Sequence, residues 1–145
     1  MADTDEPETF TAEERAAMKE RAKELRGASK RGKAKADGEA DLLEKLAEMP
    51  DADRAIGERI HALVREHAPN LGSKTWYGQP AWTKDGKVVL FFQSSAKFNT
   101  RYSTLGFSED AALDDGNMWS TSYAILQLSP VEEQRIAELI AKAAG

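Results

Sequence analysis

Large apolar side chains are almost missing from the first quarter of this chain, and that restricts where a core can form. Before residue 40 only Met1, Phe10, Met18 and Leu25 are apolar and larger than alanine. Such a segment removes too little apolar surface from water to offset the entropy of ordering it. The core must come from roughly residues 42–144, and a chain of 145 residues has room for one such domain. Residues 1–38 therefore read as a charged helical arm with a flexible linker, and residues 39–145 as the folded domain.

The arm carries most of the charge asymmetry. Between Arg15 and Lys35 there are nine Lys or Arg residues and two acids, Glu20 and Glu24, although the whole chain has a net charge of −5. A local positive excess of this kind suits a phosphate backbone or an acidic protein, so nucleic acid or an acidic partner is the expectation for residues 15–35. The chain has no cysteine, which excludes disulfides and thiolate metal sites. Its start, Met1-Ala2-Asp3-Thr4-Asp5-Glu6, is acidic where a secretory leader is basic and then apolar. The longest run of large apolar residues, Val88 to Phe92, is far too short to span a bilayer. A cytoplasmic protein without a membrane partner is expected.

Local signals order the elements. Thr11 and Glu14 form a capping-box pattern ahead of a helix with Gly27 as its stop, and 28–38 reads as a mobile linker. Leu42, Leu43, Leu46 and Met49 make a short helical stripe ended by Pro50. Asp51 is placed to cap a second helix with Ile56, Ile60, Leu63 and Val64 on one face. The apolar period then becomes two. Strands are expected over 74–77, 81–84, 87–93 and 98–105, and a last one holds Trp119 to Leu128. Asp85-Gly86 marks a two-residue hairpin, with Lys84 opposite Lys87 and Trp82 opposite Val89. Val88 to Phe92 is apolar on both faces and belongs in the middle of a sheet. Ser108 is placed to cap a helical turn through Leu113. Ser129-Pro130-Val131-Glu132 opens a closing helix with Ile136, Leu139 and Ile140 on its buried side. The sum is an α+β fold, an antiparallel sheet of about five strands packed with N- and C-terminal helices.

Residues able to carry chemistry are sparse. His61 and His67 stand about 240° apart on a helix, so they cannot chelate one ion. His67 falls nearer the apolar face and His61 to the side. Glu109, Asp110, Asp114 and Asp115 gather beside Gly116, and oxygen donors of this kind suit hard cations, iron among them. No phosphate loop, nucleophile elbow or catalytic triad is present, and no catalytic residue is assigned. The most unusual stretch is Lys74-Thr75-Trp76-Tyr77-Gly78-Gln79-Pro80-Ala81-Trp82. Trp76, Tyr77, Gln79 and Trp82, with Lys87, Lys97 and Arg101 from neighbouring elements, form the candidate pocket for an anionic or carbonyl-bearing ligand.

Trp76-Tyr77-Gly78-Gln79-Pro80-Ala81-Trp82, Asp85-Gly86-Lys87 and Phe91-Phe92 resemble a family of small bacterial domains of unknown function, the YdhG-like domains. Arg101 to Phe107 and Leu113 to Trp119 look like its actinobacterial-type branch. The resemblance covers roughly residues 40–144 and implies a frataxin-like sandwich, with an intracellular iron-chaperone role for some members. Frataxin-like iron binding uses an acidic ridge on the first domain helix, where this chain has Asp51, Asp53, Glu58 and Glu66.

Overall fold

The change of period after Gly72 is where helices give way to a sheet in the computed structural model. It describes the backbone of residues 11–31 and 35–145 and the side chains of 11–22 and 38–145. Three helices come first: α1 (Ala12–Arg31), α2 (Lys35–Ala47) and α3 (Asp51–His67). Then follow β1 (Gly72–Trp76), β2 (Gln79–Lys84), β3 (Lys87–Gln93), the single turn α4 (Ser95–Phe98), β4 (Ser103–Phe107), β5 (Ser122–Ile125) and α5 (Pro130–Ala144). The strands pair antiparallel in the order β1-β2-β3-β4-β5, so the sheet is a meander with β3 in the middle. The fold is the expected α+β architecture. No helix among the described residues is long and apolar enough to cross a membrane.

The register assigns the faces. Trp82 pairs with Leu90 and Leu90 with Phe107, while Phe92 pairs with Leu105. These side chains share the face that packs with Leu42 and Leu46 of α2, Ile56 and Ile60 of α3, and Ile136 and Ile140 of α5 in one buried cluster. Gly57 lets α3 come close: a Cβ there would collide with Leu46 Cδ2 and stand 3.1 Å from the Phe92 ring. On the opposite face the Phe91 ring covers Gly106, and Trp76 lies 5.2 Å from Phe91.

The Asp85-Gly86 hairpin forms as predicted, with φ of 53° and 81° and Lys84 opposite Lys87. The repulsion of the two lysines is relieved because Lys84 Nζ donates to Ala144 O at 2.8 Å, at the negative end of α5. One position further along, expectation fails. Trp82 faces Leu90 and not Val89, because a bulge shifts the register between Trp82 and Thr83. Ser108 explains the bulge: its N–H donates to Val89 O at 2.9 Å and its hydroxyl donates to Val88 O. Val89 and Leu90 are both fully buried as a result. A Cβ at Gly86 would meet nothing within 4 Å, so substitution there strains only the backbone. Gly86→Val is expected to cost about 1–3 kcal/mol in urea unfolding, and Lys87→Ala less than about 0.5 kcal/mol. Equal midpoints for the two variants would refute the turn assignment.

Other boundaries move for identifiable reasons. α1 runs through Gly27 to Arg31, since one glycine costs a lysine- and alanine-rich helix only about 1 kcal/mol. Of the expected linker, residues 28–31 belong to α1 and 35–38 to α2, while 32–34, like 1–10, lie outside the described residues. Gly38 is needed inside α2 because a Cβ would collide with the Ser73 carbonyl oxygen. Asp51 does not cap α3. Pro50 occupies that position, and Asp51 accepts from Arg54 at 2.8 Å. Tyr77 and Gly78, with φ of 55° and 75°, close a second tight hairpin, so Gln79 and Pro80 begin β2 instead of interrupting the sheet. Phe98 is helical and Asn99 turns the chain at φ 54°, which delays β4 to Ser103. Ser108 bonds the Asp110 N–H in a simple turn, and the last strand shrinks to Ser122–Ile125. Both capping boxes form: Thr11 N–H donates to Glu14 at 2.9 Å, and Ser129 N–H to Glu132 at 2.7 Å.

Candidate functional site

Lys97 sits on α4, a single turn that cannot hold itself in place. Asp53, in the first turn of α3 and 7% exposed, anchors it. The Asp53 carboxylate accepts from Ser94 Oγ at 2.6 Å, Ala96 N–H at 2.9 Å, Ser95 Oγ at 3.1 Å and Ser103 Oγ at 3.3 Å. Burial works to raise its pKa, but these donors outweigh burial and hold it below the usual carboxylate value. The anchor aims Lys97 across the Tyr77-Gly78 turn, where Nζ donates to Gly78 O at 3.0 Å.

A second cation meets it there. Lys45, in the last turn of α2, donates to Glu20 Oε2 at 2.7 Å, and Lys97 Nζ binds the other oxygen, Oε1. Glu20 comes from α1. Its partial burial alone would raise its pKa, but the two ammonium groups outweigh burial and lower it. Gly78 is the floor of this contact, since a Cβ there would fall on Glu20 Oε1 and Lys97 Nζ. Beside Glu20, Ala17 of α1 is buried and the Arg21 guanidinium lies 5.6 Å from the Tyr77 ring centre. The arm thus lies against the domain over residues 17–21. A cleft of about 360 Å³ opens between these elements, lined by Ala16, Glu20, Lys45, Glu48, Met49 and Lys97 among others.

Of the predicted pocket residues, Lys97 and Tyr77 come to this place. The rest do not. Trp76 pairs with Gln79 and Trp82 with Ser73, which puts the two indoles on opposite faces of the sheet. Gln79, 7% exposed, donates to Trp76 O at 3.4 Å, and its Oε1 has no partner among the described residues. Lys87 is separated from Lys97 by the length of β3, about 20 Å. Arg101 is exposed and stacks on Tyr102 at 5.4 Å. The convergent aromatic pocket therefore does not form.

Trp82 has another partner. Its indole N–H donates to His61 Nδ1 at 3.1 Å, and His61 Nε2 lies 2.8 Å from Glu39, which also accepts from Arg65 at 2.7 Å. An indole nitrogen can only donate, so Nδ1 accepts and Nε2–H is left to donate to Glu39. The bond from His61, aided by Arg65, lowers the Glu39 pKa. The histidines thus exchange the expected places: His61 is buried and His67 exposed. The cause is Trp82, which supplies His61 with a buried partner.

No family model, curated protein or solved structure matches the chain.

The acidic loop lies at the surface. Ala111 and Leu113 of the loop turn into the core, which leaves Glu109, Asp110, Asp114 and Asp115 exposed around them. Among the described residues no three His, Asp or Glu side chains converge as metal ligands. On α3, Asp53 is turned inward and Asp51 engages Arg54, which leaves Glu58 and Glu66 as the other exposed acids of the four. Sequence inspection does not single out Glu20 or Lys45, and it reads Asp53 only as part of the α3 acidic ridge. Glu20 had one visible signal: it is an acid in a segment otherwise dominated by cations.

Proposed function

We propose that this chain is a non-catalytic intracellular binding domain whose ligand is a small anion held by Lys45 and Lys97. The supporting observation is that two lysines from separate elements grip the two oxygens of one carboxylate in the lining of a cleft. A binding role is favoured over acid–base chemistry because both nitrogens of His61 and the carboxylate of Asp53 are engaged internally. The resemblance to YdhG-like domains is compatible with binding.

The test is an NMR titration of the ¹⁵N-labelled full chain with butyrate, succinate and phosphate, with butylamine as the cationic control. At least one anion should saturate and move the amides of Lys45, Gly78 and Lys97, while butylamine leaves them in place. Lys97→Ala should weaken that binding about tenfold or more. Saturation by none of the anions, or equal binding in Lys97→Ala, overturns the proposal.

A further inference from the structure

We infer that Glu20 is a built-in occupant of the anion site, and that the ligand is a monocarboxylate which binds by displacing it. The inference rests on the anion site proposed above and adds both the class of ligand and the control of access.

The first support is the geometry of exchange. Glu20 reaches the site from α1, outside the sheet and the three helices that cover it, and its carboxylate has one oxygen on each lysine. A free carboxylate can make the same two contacts, so the site loses no hydrogen bond when one replaces the other. Lys97 also keeps its bond to Gly78 O in either state, because that carbonyl belongs to the β1–β2 turn and not to the arm.

The second support is charge. The cleft is lined by two cations, Lys45 and Lys97, and two anions, Glu20 and Glu48, with Glu48 3.5 Å from Lys45. Lifting Glu20 away leaves one positive charge without compensation, which matches a single carboxylate. A dianion would overshoot that balance and meet Glu48. The apolar lining, Ala16 and Met49, suits a short hydrocarbon body behind the carboxylate.

The third support is how α1 is held. Among the described contacts its docking rests on Ala17, the Glu20 pair and Arg21 over Tyr77, with Met18 left exposed. Competition with a tethered group lowers the apparent affinity by the fraction of time the site is occupied by that group.

The full chain, its Glu20→Gln variant and the double variant Glu20→Gln with Lys97→Ala are titrated with butyrate and, separately, with phosphate. Glu20→Gln should bind butyrate about tenfold tighter than the unmodified chain, and the double variant should lose that gain. Butyrate added to the unmodified chain should accelerate hydrogen exchange at the amides of 17–21. Equal affinity in Glu20→Gln and the unmodified chain, with Lys97→Ala still weakening binding about tenfold, overturns the displacement and leaves the anion site standing. No binding in any variant removes the site and the inference together. Tighter binding of phosphate than of butyrate by Glu20→Gln overturns the monocarboxylate assignment.

Discussion

Trp82→Ala is expected to lower the free energy of unfolding by about 3–5 kcal/mol, the usual loss for deleting a fully buried aromatic ring. Trp82 is 0% exposed and packs in the cluster formed by the sheet and its three covering helices. The substitution empties that space and also removes the indole N–H that donates to His61 Nδ1. Trp82→Phe separates the two contributions. It keeps most of the apolar volume but leaves Nδ1 unpartnered, so it should cost about 1–3 kcal/mol. Urea unfolding of the three proteins measures both. A loss below about 1.5 kcal/mol for Trp82→Ala would contradict the packing described for this face.

Asp53→Ala should cost about 2–4 kcal/mol, because it leaves three hydroxyls and one backbone N–H without their shared acceptor. It should also loosen α4, and with it Lys97, so butyrate binding should weaken even in the fraction that folds. The effect has a definite pH dependence. The folded pKa of Asp53 lies below its unfolded value, so its stabilisation is complete above about pH 4 and is lost as pH falls through the folded pKa. Asp53→Asn removes that titration. Urea midpoints measured from pH 7 down to pH 2 should therefore fall less steeply for Asp53→Asn than for the unmodified chain. Parallel slopes would mean that Asp53 is not held ionised by these donors.

Both residues show why the sequence concealed so much of the site. Trp82 was visible as a large aromatic beside a glycine and a proline, but its face depended on the turn before it. Tyr77-Gly78 lacks the Asn-Gly or Asp-Gly signature of a tight hairpin, so the pattern predicts a strand two residues late and both indoles in one pocket. Asp53 read as one more acid at a helix start. Its partners, Ser94, Ser95 and Ser103, are about forty to fifty residues away in the chain, and no local pattern links them. Lys97 reads from the sequence as a partner of Trp76 and Trp82, but it meets Glu20 and the Gly78 carbonyl instead.

The sequence by itself determined what depends on neighbours a few residues apart. The apolar stripe of α3, the capping boxes at Thr11 and Ser129, the Asp85-Gly86 turn and the central place of Val88 to Phe92 all follow from short-range spacing. These features fix the α+β architecture because helix and strand periods and tight turns are set by local sterics and hydrogen bonding. Tertiary structure decided whatever requires two distant segments to meet. It placed the bulge at Val89, where Ser108 takes both carbonyls, and buried His61 against the Trp82 indole. It also brought Glu20 between Lys45 and Lys97. The physical reason is that a buried polar group must find a partner wherever the packed chain provides one, and sequence spacing carries no record of that search.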